Sequence, residues 1–146
     1  KLGAGHIKAA EMGAIEAVKL AVWLLCGTAV IYLAAATPLV SLFTDDAKIL
    51  ELGVTVLMIC ALEQPGLAIA DVISQCLRGA GDTKSPLYVT IVSVWTIRVG
   101  LTWLVVSVLG WGLIGVWYVT AVDWTIRGGI LFWIFKRGRW KTIKIE

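Results

Sequence analysis

Histidine is almost missing from this sequence. His6 is the single copy in 146 residues, so a metal site built on histidine is not expected. Cysteine is scarce as well. Cys26, Cys60 and Cys76 lie far apart, in or beside apolar stretches. That spacing provides neither a disulfide framework nor a thiolate metal site, and cysteine in such a stretch acts as a small apolar residue. Charge is the third shortage. Asp, Glu, Lys and Arg make up 16% of the chain and hydrophobic residues 59%, against roughly 25% and 45–50% in a soluble domain. The composition is that of an all-α integral membrane protein. Alternation is absent too: the apolar runs are continuous, which argues against a β-barrel.

What is present are long uncharged runs, at residues 20–44 and 99–122 among others. A crossing helix needs about 20 residues, and four fit: residues 18–43, 49–77, 86–109 and 113–135. The second is interrupted by Glu63, Pro65 and Asp71. Loop charge then alternates. Lys1, His6 and Lys8 precede the first helix, Arg78 and Lys84 sit between the second and third, and five basic residues crowd the tail 136–146. The other two turns are FTDDAK and the uncharged GWG. The positive-inside rule places both ends and the 78–84 loop in the cytoplasm of a multi-pass cell-membrane protein. Trp111 and Trp117 suit the outer interface, and Trp133 and Trp140 the inner one, with ordinary helix packing as the alternative. The basic tail reads as an interfacial anchor rather than a nucleic-acid site, and Lys19 as a snorkelling residue at the inner end of the first helix.

The loop RGAGDTKS resembles a phosphate loop only superficially. Lys84 follows Thr83 rather than glycine, and it occupies the third glycine position of a dinucleotide motif. The expected role is local: Gly79 and Gly81 end the second helix. Asp82 or Thr83 caps the third, and Pro86 lies in its first turn. A second GAG, at Gly3-Ala4-Gly5, precedes Lys8 as Gly79-Ala80-Gly81 precedes Lys84, at an offset of 76 residues. That hints at a repeated helical hairpin.

LRGAGDTKSP, WTIR at 95–98, GLIGVW at 112–117, AVDW at 121–124 and GRW at 138–140 together resemble the C-terminal end of multidrug and toxic compound extrusion transporters. KLGAGHIKAA at the start resembles the loop before that family's ninth helix. The resemblance implies a transporter rather than an enzyme: a twelve-helix antiporter of two lobes. It would export organic cations or other amphipathic compounds on a Na⁺ or H⁺ gradient, with no cofactor. The four helices would be the ninth to twelfth, and their partners the bilayer and the remaining eight helices. Lys1 rather than Met at the start fits a piece of a longer protein. Arg78, Gly79, Gly81, Asp82 and Thr83 would form the family's signature loop.

Five charges fall inside the expected spans. By helical rise Arg98 and Asp123 are both roughly 18 Å deep, Arg127 roughly 12 Å, Asp71 roughly 9 Å and Glu63 roughly 21 Å. A charge at midplane costs about 2.5–3.5 kcal/mol and needs a partner or water. Arg98 is therefore expected to reach Asp123. Arg127 can reach Asp123 at i,i+4 or Asp71. These residues read as a structural network, with gating or contact with an anionic substrate group as the alternative. Glu63 precedes Pro65 and Gly66, where a kink would free carbonyls beside a carboxylate. Glu63 and Asp71 are thus the candidates for cation coupling. The resemblance places a coupling aspartate of some members at Leu67, between the two. Trp95 and Trp103 are candidates for stacking on a cationic substrate, with lipid-facing packing as the preferred reading. Two other functions compete: a lipid-linked precursor flippase of the same superfamily, and a self-standing four-helix scaffold or assembly subunit.

Overall fold

The computed structural model describes residues 7–142. The first GAG and the end of the tail lie outside them. α1 (Ile7–Ser41) and α2 (Ala47–Gly79) are followed by a rod of three pieces: α3 (Lys84–Ser93), a π-helical stretch (Val94–Leu101) and α4 (Thr102–Ser107). α5 (Gly112–Arg137) and a 3₁₀ turn (Arg139–Thr142) complete the described chain.

α1 starts well before the expected residue 18. Charge at Lys8, Glu11 and Glu16 limits an apolar window but not a helix, and the alanines among them favour one. Its 35 residues span roughly 52 Å, more than the roughly 30 Å hydrocarbon layer. The α1, α2 and α3–α4 rods are each long and apolar enough to cross a membrane. α5 has the length, with 26 residues, but Asp123 and Arg127 interrupt its apolar middle.

The helix ends follow local chemistry. Asp46 Oδ1 accepts from the amides of Lys48 at 2.9 Å and Ile49 at 3.2 Å, satisfying two of the free N–H groups at the start of α2. Replacing Asp46 with alanine is expected to cost about 1 kcal/mol, read as a lower unfolding midpoint in SDS titration. At the other end, Gly81 adopts φ 88° and the Asp82 amide reaches back to the Leu77 carbonyl at 2.9 Å. Asp82 rather than Thr83 caps α3: its carboxylate accepts from the Ser85 amide at 3.0 Å and the Ser85 hydroxyl at 2.7 Å. Thr83 makes no side-chain cap, and Gly79 is the last residue of α2 with open space beside it.

Pro65 does not end or interrupt α2, which runs as one helix across it. The helical dihedrals fail instead in α1, at Ala35 (φ −119°, ψ 21°), three residues before Pro38. Proline removes one ladder bond in either helix. α2 is gripped by α1 on one side and α5 on the other, whereas α1 packs mainly against α2 and is the less restrained of the two.

Gly66 has a packing role. A Cβ there would lie 2.9 Å from the Thr125 amide nitrogen, and one on Gly128 would lie 2.8 Å from the Gly66 carbonyl oxygen. The backbones of α2 and α5 therefore touch, in the manner of small residues at membrane helix crossings. Gly128 also faces Ile69 and Ala70, so the two helices run parallel. Beyond this crossing a buried cluster joins Ala14 and Val18 of α1, Ile73 and Leu77 of α2, and Leu131 and Phe135 of α5.

Trp140 belongs to that cluster and not to an interfacial belt. It is 2% exposed, stacks on Phe135 at 5.0 Å and donates its indole N–H to the Phe135 carbonyl at 2.8 Å. Lys141 then pairs with Glu11 of α1 at 2.7 Å. The start of the tail is thus folded onto the bundle. Its indole is a second donor to that carbonyl, which also accepts from the Gly138 amide at 3.1 Å. Trp111 and Trp133 are exposed, Trp117 is half-buried, and Arg137 lies over the Trp133 ring at 5.1 Å.

Candidate functional site

Asp123 is the centre of the polar interior. It is wholly buried, at 0% exposure, on the face of α5 turned toward the α3–α4 rod. Arg127, one turn later, places Nη2 2.6 Å from Asp123 Oδ2. Arg98, in the π-helical stretch, reaches the same oxygen from across the interface at 3.2 Å. The Ser93 hydroxyl donates to Oδ1. One carboxylate thus ties two guanidinium groups and a hydroxyl from two helices, the kind of satisfaction a buried charge requires.

The depth estimate put Arg98 and Asp123 at one level, and the structure joins them. Between the two partners open to Arg127, it joins Asp123. Asp71 is exposed and forms no ion pair among the described residues.

α2 contributes a further buried acid, Glu63, which is 8% exposed, has no hydrogen-bond partner at Oε2 and makes no ion pair among the described residues. Counting Arg98, Arg127 and Asp123 alone leaves one positive charge in excess. The Nε atoms of Arg98 and Arg127 are also buried without partners. No cluster of three metal-ligating side chains occurs among the described residues.

Sequence reasoning missed two members. Trp124 lies beneath both cations, 4.7 Å from the Arg127 guanidinium carbon and 5.8 Å from that of Arg98, a cation–π arrangement. Trp95 and Trp103 are 70% and 66% exposed and lie outside the network. Trp124 had a signal: it stands between the Asp and the Arg of VDWTIR. Ser93 had only a weak one, a lone hydroxyl in an apolar run. The π-helical stretch left no mark in the sequence pattern. There the Thr96 hydroxyl bonds to the Val92 carbonyl at 2.6 Å, and wide turns of this kind cluster at functional positions.

Comparison with known proteins gives this site its context. Residues 1–104 match the MatE family. A probable multidrug resistance protein NorM of Thermotoga maritima is 33% identical over 104 residues, 71% of this chain and 22% of that protein. The uncharacterized transporter YisQ of Bacillus subtilis is 28% identical over 131 residues, covering 90% of this chain and 29% of its own length. A probable NorM of Deinococcus radiodurans is 30% identical over 131 residues, 86% of this chain and 29% of that protein. The chain therefore spans between a fifth and a third of these curated relatives. With the signature loop, the helical architecture and this match in agreement, the chain belongs to the MatE family.

Proposed function

We propose that this chain is the C-terminal part of a multidrug efflux antiporter that works by alternating access, driven by Na⁺ or H⁺. The carrying observation is the buried carboxyl group of Glu63 on α2, one oxygen of it unpaired, together with the Asp123–Arg98–Arg127 network that links the α3–α4 rod and α5. Charges are retained in an apolar interior when they hold helices together or move an ion. Asp123, Arg98 and Arg127 do the first, because their charges are already paired. Glu63 suits the second, because its carboxylate is buried with one oxygen unpaired. It exchanges a cation while the network beside it holds the helices in place. The substrate would be an amphipathic organic cation, and the missing helices would supply the rest of its cavity.

In the complete protein that carries this chain, Glu63→Gln is expected to lower gradient-driven transport of ethidium into inverted vesicles by at least about tenfold, while leaving ethidium binding in place. Undiminished Na⁺- or pH-driven transport by that variant would remove Glu63 from the coupling step.

A further inference from the structure

A second polar feature lies on the tail side of Asp123. Asp71, Ser74 and Arg78 form one stripe of α2, at spacings of three and four residues. With Thr90 of α3 and Trp124 and Arg127 of α5 they line a cavity of about 190 Å³. Donors dominate it: two guanidinium groups and two hydroxyls, against the single carboxylate of Asp71. The Arg127 side chain is 8% exposed. Its Nη2 is committed to Asp123, while its Nε–H has no partner. Nε is itself shut off from the cavity, so what the lining presents to a ligand is the remainder of the guanidinium group, beside the two hydroxyls and Arg78. Asp71 and Arg78 are exposed and form the mouth.

We propose that this cavity binds a singly charged phosphate group. Arg78 and Arg127 hold its oxygens, and the Ser74 and Thr90 hydroxyls donate to those remaining. Guanidinium forks match phosphate geometry. Asp71 disfavours a dianion and provides a seat for an ammonium group beside the phosphate. That pairing is the chemistry of a phosphoethanolamine headgroup. Free phosphate shares the oxyanion contacts but leaves Asp71 unused. The height agrees with a lipid: Asp71 lies about two turns, roughly 12 Å, from the end of α2, within reach of the headgroup zone. The proposal rests on the chain spanning a membrane and not on its transporting anything.

The test is native mass spectrometry of the complete, detergent-purified protein titrated separately with phosphatidylethanolamine, phosphatidylglycerol and inorganic phosphate. One phosphatidylethanolamine should be retained per protein, bound about tenfold more tightly than phosphatidylglycerol. Arg78→Gln, at an exposed position, should weaken that binding by about tenfold or more, and the double variant Ser74→Ala/Thr90→Val should weaken it less. Asp71→Asn should abolish the preference between the two lipids. Arg78-dependent retention of inorganic phosphate without either lipid would support the oxyanion site and make free phosphate its ligand. Retention of all three ligands unchanged by Arg78→Gln, or no retention of any, would overturn the proposal.

Discussion

Replacing Asp123 with leucine is expected to destabilise the helix bundle by about 3–5 kcal/mol, the usual cost of stripping the partner from a buried charge. Arg98 and Arg127 would then face each other across an apolar interface, with the Ser93 hydroxyl also left without its acceptor. The damage comes mainly from the orphaned cations. The double variant Asp123→Leu/Arg127→Met should therefore lose less than the sum of its two single losses, a non-additivity expected of residues in one network. Unfolding in SDS, followed by circular dichroism for the two single variants and the double, measures this directly. Strict additivity would mean that the salt bridge contributes nothing to stability.

Substitution of Gly128 ranks next. A methyl group added there meets the Gly66 carbonyl oxygen at 2.8 Å, and neither backbone can yield without parting α2 from α5. Gly128→Ala should cost about 1–3 kcal/mol, and Gly128→Leu should separate the two helices. Gly129, one residue on, has nothing within 4 Å of a Cβ position. Gly129→Ala should be neutral or stabilising by up to about 1 kcal/mol, since alanine is the better helix former. The contrast between neighbouring glycines isolates the crossing from helix propensity. Disulfide trapping between α2 and α5 reads it: the cross-link should fade in Gly128→Leu and persist in Gly129→Ala.

The features legible in the sequence were those carried by local regularity. Apolar run length located the helices, and a fixed rise per residue brought Arg98 and Asp123 to one depth. Glycine and aspartate chemistry located the turn at Gly81 and the cap at Asp82. The features that escaped depend on what one helix meets in another. Gly66 read as a partner of Pro65 in a kink, because its contact with Thr125 lies 59 positions along the chain. Trp140 read as an interfacial residue because the charges around it are basic. Its burial depends on the Phe135 ring and carbonyl at the end of α5 and, through Lys141, on a carboxylate in α1, neither of which is visible in the tail. The start of α1 was missed for a different reason. Apolar run length finds the part of a helix that lipid can hold, and α1 continues beyond it.

The parallel pairing of α2 and α5 also sets an electrical condition. Each helix carries a partial negative charge at its C-terminal end, and parallel neighbours bring those ends together. The last turns of these two helices hold Arg78 and Lys136 with Arg137, whereas α1, α3 and α4 have no basic residue in theirs. Each such cation near a helix end contributes about 0.3–1 kcal/mol, less as salt increases. The arginines and lysines at these two helix ends thus neutralise two aligned dipoles on the tail side. Removing them would weaken the cohesion of the α2–α5 pair as well as the basic bias of its loops.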